Sequence, residues 1–444
     1  MITDELPDDF ILLGFKYPDI NMKKLILPLL LLTLSLQSFA SFDDWFVPKT
    51  LRVDYYHTGN RDNEVYSIDQ VKSEPFWGGS HSMLIDAVDY GFFQYKVYDL
   101  ASNTLIYSRG YCTLFDEWKF TEEAKITTRS FSGTVVLPFP KNDVRIEFLS
   151  RNESGLFIKK FEYIVKVGDY FITPEPTMKF PVFEALVSGD PATKVDIVIL
   201  PEGYTVEEMD KFKDDVVKFS SELFRFEPYT QNRDKFNIRA VLAPSVESGT
   251  DIPAKQVWRQ TILNSSFYTF DSDRYLMTSD NKSVRNLASN APYDQIYILV
   301  NSQKYGGGAI YNLYSTSVNS NSQSAKIFVH EFGHAFAGLA DEYDDGSTSM
   351  NDMYSLKTEP WEPNITTLVN FENKWKSMLA PGTVIPTPLK DAEKMQLGVY
   401  EGAGYVTKGI YRSTPDCLMR TFKDEKFCPV CAAAIQKMID LYTR

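Results

Sequence analysis

The sequence predicts a multidomain protein in which an N-terminal antiparallel β-sandwich is followed by an α/β (α+β) domain. Three observations predict this fold class. A chain of 444 residues is too long for one ordinary hydrophobic core. Residues 41–167 contain short segments in which apolar and polar residues alternate, which is typical of half-buried strands. From residue 191 onward the order becomes strand, helix, strands and a helix with paired histidines.

The composition excludes one class of partner. The formal net charge is −13, and an acidic surface repels the phosphates of nucleic acids. The hydrophobic content of 43% and aromatic content of 14% are sufficient for a globular, strand-rich chain. We therefore expect a folded protein that does not bind nucleic acid.

The first forty residues resemble an export signal preceded by an acidic leader. Residues 1–21 are acidic and are expected to be an untranslated or non-structural leader. A short basic stretch begins at Met22, residues 25–36 are apolar, and residues 38–40 form a small-x-small cleavage pattern. We expect a signal peptide over residues 22–40 and a secreted, periplasmic or cell-surface protein. The apolar run is shorter than the ~20 residues that span a membrane, so stable insertion after cleavage is not expected.

Residues 41–167 are predicted to form the β-sandwich. Gly, Asn, Asp and Ser clusters separate the alternating segments. The predicted strands are residues 51–56, 94–98, 134–137, 143–148 and 157–167. His57 and His81 lie in this region without a cluster of ligand residues, so we expect them to be packed or exposed. Residues 168–190 contain three prolines and are predicted to be a linker or strap.

Residues 191–444 are predicted to form the second domain. Residues 195–200 are a buried strand, and Thr205 with Glu208 forms a capping box that begins a helix. Further strands are expected at 236–242, 295–300 and 309–314, before a helix over residues 324–339. The segment 309–314 follows three glycines at 306–308 and is predicted to be an edge strand that can pair with an extended peptide. A tight turn without function is the alternative.

The helix at residues 324–339 carries His330, Glu331 and His334 in the spacing H-E-x-x-H. Residues four apart on a helix lie on the same face, so the two imidazoles can bind one Zn²⁺. Glu331 is then placed to act as a general base toward water. Gly338 is the residue type that ends a helix. The alternative is a helix with merely packed histidines, but two of only four histidines lie in this one turn.

A catalytic zinc site generally needs a third protein ligand. No histidine follows His334, so a carboxylate is expected, and Asp341 and Glu342 are nearest. Glu359 and Glu362 are alternatives on a later element. We favour Asp341, because a chain that reverses at Gly338 returns toward the metal after about three residues. Adjacent side chains on an extended segment point in opposite directions, so Glu342 is expected to face away.

Two other ligand sources are weaker. The acidic loop 341–352 could hold Ca²⁺ but fits no fixed ligand pattern. The cysteines are Cys112, Cys417, Cys428 and Cys431. Cys428 and Cys431 have C-x-x-C spacing without a second such pair. A disulfide between Cys417 and one of them is the preferred interpretation, with free buried thiols as the alternative.

The run H-E-F-G-H-A-F-A-G-L-A-D-E-Y resembles the signature of the IgA-peptidase family of secreted zinc metallopeptidases. The segments around residues 416–420 and 427–431 fit that family too. The chain is more broadly similar to metzincins, which implies ligand roles for His330 and His334, a general-base role for Glu331 and a methionine turn at Met419. Metzincins place the glycine three and the third ligand six residues after the second histidine. In this chain Gly338 is four residues after His334, and Asp341 is seven residues after it. Thr421 stands where metzincins have a tyrosine.

These patterns predict a secreted endopeptidase with one catalytic zinc ion and a protein or peptide substrate. Glu331 would take a proton from water and pass it to the leaving amine. Tyr411 or Tyr343 would donate a hydrogen bond to the oxyanion. One alternative is a surface protein whose β-sandwich binds a glycan or a host protein, with a vestigial metal site. Another is a zinc amidase that acts on cell-wall peptides.

Overall fold

The N-terminal part of the chain folds into two sheets. The computed structural model describes residues 41–346, 353–390, 392–393, 395–423 and 425–444. The first eight strands are β1 Phe46–Gly59, β2 Glu64–Glu74, β3 Phe93–Asp99, β4 Leu105–Tyr111, β5 Arg129–Pro140, β6 Val144–Arg151, β7 Phe157–Val165 and β8 Thr173–Pro174. The order is β5-β1-β2-β8 in one sheet and β4-β3-β6-β7 in the other.

The two sheets pack through their facing side chains. Val53 on β1 and Val97 on β3 are fully buried. The rings of Tyr55 on β1 and Phe148 on β6 lie 5.2 Å apart, so one core joins both sheets. All strand pairs are antiparallel except the short parallel pair of β2 with β8. This arrangement agrees with the predicted N-terminal sandwich, because alternation along each strand directs every second side chain into the core.

A six-stranded sheet forms the centre of the second half. Its strands are β9 Val182–Leu186, β10 Val195–Glu202, β11 Phe236–Val241, β12 Gln295–Val300, β13 Gly307–Ile310 and β14 Tyr314–Val318. The order is β13-β14-β12-β10-β11-β9. The inner pairs are parallel, whereas the edge strands β9 and β13 are antiparallel to their neighbours. Every residue of β10, β11 and β12 is buried, as expected when both faces of a sheet are covered.

Helices of the second half cover this sheet, and two short helices belong to the N-terminal half. The α-helices are α1 Phe42–Trp45, α2 Leu114–Trp118, α3 Met209–Leu223, α4 Asn281–Ala288, α5 Ser324–Ala337 and α6 Pro429–Tyr442. Phe328 on α5 stacks on Tyr297 of β12 at 4.0 Å and on Phe219 of α3 at 5.3 Å. Phe336, two turns later on α5, packs 5.8 Å from Tyr442 of α6. The histidine-bearing helix α5 is thus held on several sides by aromatic contacts.

A small sheet supports the chain that follows α5. Its strands are β15 Ile365–Thr366, β16 Tyr400–Ala403 and β17 Val406–Arg412, in the order β15-β17-β16. In the turn between β16 and β17, the Gly404 N–H donates to Asp341 O at 3.1 Å and the Tyr405 N–H donates to Tyr343 O at 2.8 Å. These two bonds attach the segment after α5 to the small sheet.

Two sequence predictions need correction. Residues 309–314 are not one strand, because Asn312 has φ +54° and turns the chain between β13 and β14. The edge position of β13 was nevertheless expected. The disulfide expected between Cys417 and Cys428 or Cys431 is not formed, since all four cysteines are free. The sulfurs of Cys417 and Cys431 are 3.7 Å apart, well beyond the about 2.05 Å of a disulfide bond.

The predicted linker contributes strands to both halves. Within residues 168–190, β8 pairs with the N-terminal sheet and β9 pairs with β11. The predicted leader 1–21 and signal peptide 22–40 lie outside the described residues, as do residues 347–352 of the acidic loop. Across the part of the chain that the structure describes, no helix is both long and apolar enough to cross a membrane.

Candidate metal centre

The two motif histidines point at one position. They lie one helical turn apart on α5, and their Nε2 atoms are 3.1 Å apart. The helix ends at Gly338, whose φ of +62° is a left-handed conformation that suits glycine. The N–H of Gly338 donates to the carbonyl of His334, and that of Leu339 donates to the carbonyl of Gly333. A Cβ at Gly338 would lie 2.8 Å from the ring of Trp361, so this turn also needs a residue without a side chain.

Asp341 completes a group of three potential ligands. Its Oδ1 lies 3.2 Å from the Nε2 of His330 and 3.4 Å from the Nε2 of His334. Ligands about 2.0–2.1 Å from a tetrahedral zinc ion lie about 3.3 Å from one another. The three observed separations match this value. Asp341 Oδ1 is buried and has no hydrogen-bond donor, so the donor set fits a zinc ion.

The outer ring nitrogens are held by backbone carbonyls. His330 Nδ1–H donates to Leu418 O at 3.1 Å, and His334 Nδ1–H donates to Leu339 O at 2.5 Å. These bonds leave the lone pair of each Nε2 directed at the centre and fix the orientation of each ring. Tyr405 donates its hydroxyl hydrogen to Asp341 Oδ2, which leaves Oδ1 as the inward atom.

The electrostatics of this group favour a cation. Burial alone would lower the pKa of His334, but attraction to Asp341 and Glu331 raises it to about 9. Burial alone would raise the pKa of Asp341, but the histidines hold it far below its usual value. Both shifts show that the carboxylates attract positive charge, which either protons or a metal ion can supply.

Glu331 lies between the histidines and the edge strand β13. Burial raises its pKa, while the charges of His330 and His334 oppose that rise. A Cβ at Gly307 of β13 would lie only 2.9 Å from Glu331 Oε1, so the strand backbone approaches the carboxylate closely. A carboxyl group with a raised pKa, next to a candidate metal position, has the properties of a general base.

Met419 lies directly beneath the helix. It is fully buried, and its Sδ would lie 3.2 Å from a Cβ placed at Gly333. Its carbonyl accepts the N–H of Glu342 at 2.9 Å. Residues 418 and 419 therefore contact both the histidine helix and the segment that carries Asp341.

The other carboxylates proposed as third ligands are not part of this group and have other partners. Glu342 turns away from the histidines, and its Oε1 accepts from Asn364 Nδ2 at 3.0 Å. Glu359 accepts the N–H of Asn370 at 2.9 Å, and Glu362 accepts the hydroxyl of Tyr354 at 3.1 Å. Among the described residues, the group of potential metal ligands that includes the two helix histidines contains one carboxylate, that of Asp341.

A cavity of about 170 Å³ opens over His330, Glu331 and His334. Tyr343 lines it, with its ring 6.1 Å from that of His330, whereas Tyr411 does not. Tyr411 lies on β17, opposite Thr366 of β15 and Glu401 of β16. The structure therefore does not support Tyr411 as an oxyanion donor.

Sequence reasoning missed several residues of this cavity. Asp116 and Glu117 reach it from α2 of the N-terminal half, and Tyr275 donates its hydroxyl hydrogen to Glu117. Burial raises the pKa of Asp116 to about 7 and that of Glu117 to about 8. Arg274 and Tyr405 also line the cavity. The local sequence around the motif contains no signal for these residues, because they lie far from it in the chain, and Asp116 lies 214 positions before His330.

Comparison with known families gives two matches. The family described as IgA Peptidase M64 matches residues 183–397 and 389–439. The domain described as Peptidase M64 N-terminus matches residues 41–162. No curated protein matches the chain.

Proposed function

The chain belongs to the IgA Peptidase M64 family, and we propose that it is a zinc-dependent endopeptidase with His330, His334 and Asp341 as the metal ligands. One observation carries this proposal. The inward atoms of the three side chains lie 3.1–3.4 Å from one another, beside Glu331 and an edge strand. That donor set and spacing support a catalytic zinc site.

The chain's residues divide the chemistry among them. A bound zinc ion would polarise the scissile carbonyl and make a water molecule acidic enough to lose a proton near neutral pH. Glu331 accepts that proton and returns it to the leaving amine, a role that its raised pKa favours. Tyr343 lines the cavity and is the tyrosine that would donate to the oxyanion.

The position of strand β13 is evidence for a peptide as the substrate. It is the edge of the six-stranded sheet, and its first residue, Gly307, is next to Glu331. The backbone of Gly307 is already bonded to residues 274 and 276, so an extended peptide would add to this edge beyond Gly307, where Gly308, Ala309 and Ile310 line the cavity that contains Glu331. This arrangement, with Met419 beneath the helix, also supports a metzincin-like relationship despite the one-residue shift of Gly338 and Asp341.

Casein hydrolysis tests the activity. We expect the purified protein to cleave casein, to lose activity on treatment with a zinc chelator and to regain it when Zn²⁺ is added back. Proteomic mapping of the cleavage sites would then define the substrate class. Zinc binding with hydrolysis of cell-wall peptides alone would favour the amidase, and zinc binding with no hydrolysis would favour a binding protein.

We also propose that the protein is exported. The basic stretch at Met22, the apolar run and the small-x-small pattern ending at Ala40 support a cleaved signal peptide. N-terminal sequencing of the protein from the culture medium or periplasm should begin at Ser41. A start at Met1 or Met22 would contradict the cleavage.

A further inference from the structure

Three thiols and one carboxylate converge at a second position. The ligand atoms of Glu342, Cys417, Cys428 and Cys431 all lie within 4.8 Å of one another. All four side chains are buried, with exposed fractions of 0–1%. They come from three separate segments, namely the loop after α5, the segment before Met419 and the start of α6. We call this group the cysteine cluster.

The separations in the cysteine cluster suit tetrahedral coordination. Cys417 Sγ lies 3.7 Å from Cys431 Sγ, and Cys431 Sγ lies 3.4 Å from Glu342 Oε1. With Zn–S of about 2.3 Å and Zn–O of about 2.0 Å, a tetrahedral ion separates two sulfurs by about 3.8 Å and a sulfur from an oxygen by about 3.5 Å. Both observed distances agree with these values.

Hydrogen bonds to the sulfurs favour thiolates. The N–H of Cys428 donates to Cys417 Sγ at 3.2 Å, and the N–H of Cys431 donates to Cys428 Sγ at 3.3 Å. Ser413 Oγ lies 3.1 Å from Cys428 Sγ and can donate to it as well. Cys428 also caps the N-terminus of the fourteen-residue helix α6, where the helix dipole stabilises negative charge. These donors are the surroundings that metal-binding thiolates require.

Glu342 has an oxygen without a partner. The side chain is fully buried, its Oε1 accepts from Asn364, and its Oε2 has no hydrogen-bond donor. A buried carboxylate oxygen without a partner is costly, and a cation bound beside Oε1 would offset the negative charge that Oε2 shares. This side chain provides an observation that is independent of the cysteines and points to the same ligand.

We propose that Glu342, Cys417, Cys428 and Cys431 bind a second, structural Zn²⁺. Four protein ligands close the coordination shell, so this ion has no open position for water or substrate. Two positive charges from the ion offset part of the four negative ligand charges. The buried guanidinium of Arg412 adds a further attraction for Glu342.

A disulfide explains these contacts less well. It would use two of the three sulfurs and leave Oε2 of Glu342 buried without a hydrogen-bond donor. It would also require two sulfurs to approach to about 2.05 Å, where the structure has 3.7 Å between Cys417 and Cys431. A metal ion uses all four groups at the separations that they already have.

The second ion would hold the first site in place. Glu342 follows Asp341 directly, and Cys417 precedes Leu418, whose carbonyl orients His330. The backbone bond from Glu342 N–H to Met419 O joins the two segments. A metal in the cysteine cluster would therefore fix the positions of Asp341 and Leu418 without touching substrate.

Metal analysis of matched variants tests the proposal. We expect about two zinc ions per chain in the wild-type protein by elemental analysis, and about one in both Cys428→Ser and His334→Ala. Cys112→Ser is the matched control, since it also removes a buried thiol but lies outside the cysteine cluster, and it should keep two. X-ray absorption of His334→Ala should show sulfur neighbours about 2.3 Å from zinc.

A cobalt-substituted protein gives an independent signature. The thiolate-to-cobalt charge-transfer band should persist in His334→Ala. If Cys428→Ser does not fold, X-ray absorption of His334→Ala decides alone. Loss of all zinc in His334→Ala, or a disulfide among Cys417, Cys428 and Cys431 in peptide mass spectra, would overturn the proposal. Sulfur-bound zinc without peptidase activity would leave it standing and refute only the proposed function.

Discussion

Gly307→Ala tests whether the edge strand sets the position of the catalytic carboxylate. The added Cβ would lie 2.9 Å from Glu331 Oε1, 2.8 Å from Ile327 Cγ2 and 2.9 Å from Thr316 O. Ordinary contact begins at about 3.4 Å, so something must move by about half an ångström. The N–H of Gly307 donates to Arg274 O, and its carbonyl accepts the N–H of Leu276. These two hydrogen bonds oppose a displacement of the strand backbone. Of the three contacted groups, the flexible end of Glu331 shifts most easily, whereas the contacts with Ile327 and the Thr316 backbone lower the stability of the fold.

The expected loss follows from that displacement. A misplacement of about 1 Å can reduce catalysis by about 10²-fold, so half of that should reduce kcat/KM by about tenfold. Overpacking should also lower the free energy of unfolding by about 1–3 kcal/mol. Zinc content should not change, because none of the three ligands is contacted. The measurements are peptide hydrolysis, elemental analysis and urea denaturation.

Gly308→Ala is the matched control. Its Cβ would crowd Tyr275 and Met277 at 2.5–2.6 Å, on the side of the strand away from Glu331. We expect a similar loss of stability with a smaller loss of activity. Equal activity losses in the two variants, or full activity in Gly307→Ala, would refute the inference that β13 positions Glu331.

Three further substitutions test the metal centre and a buried ion pair of the N-terminal sandwich. Asp341→Ala should lose the zinc ion at the histidines by elemental analysis, and full retention would move the third ligand elsewhere. Tyr405→Phe removes the hydroxyl donor to Asp341 and should weaken zinc affinity about 10–100-fold in a chelator competition, whereas an unchanged affinity would show that this bond does not orient the ligand. Burial alone would raise the pKa of Glu64, but its hydrogen bond with His57 and the charge of Lys119 lower it to about 2. Because this folded-state pKa lies below the ordinary 4.5, the stabilisation is present above pH 4.5 and lost as pH falls toward 2. The difference in the free energy of unfolding between wild type and Glu64→Gln should therefore disappear as the pH falls from 4.5 toward 2. A difference that stays constant with pH would contradict the lowered pKa of Glu64.

Periodic patterns predicted most of the central elements. The strand expected at 295–300 is Gln295–Val300, and the motif helix expected at 324–339 is Ser324–Ala337. These segments are long or strongly apolar, so local pattern and tertiary environment agree. Helix α4 at Asn281–Ala288 was missed because its polar residues obscure the buried face. Asn312 was assigned to a strand because a single left-handed residue leaves no trace in hydrophobic alternation.

The sequence predicted those residues of the candidate site that lie close together in the chain. His330, Glu331 and His334 share one helix, and Asp341 follows from the chain reversal at Gly338. Tyr405 and Glu117 come from distant segments, and only the packing of the sheets brings them to the cavity. The same is true of Glu342, which joins three cysteines more than seventy residues away in the chain.

Glu331→Gln is the most direct test of the proposed peptidase mechanism. The substitution keeps the size of the side chain but cannot accept the proton from water. Zinc content and peptide hydrolysis should be measured on the same preparation, with wild type beside it. We predict unchanged zinc and a loss of kcat on the order of 10²–10⁴-fold, the usual contribution of general acid–base transfer. Near-normal turnover with full zinc would contradict the assignment of Glu331 as the base.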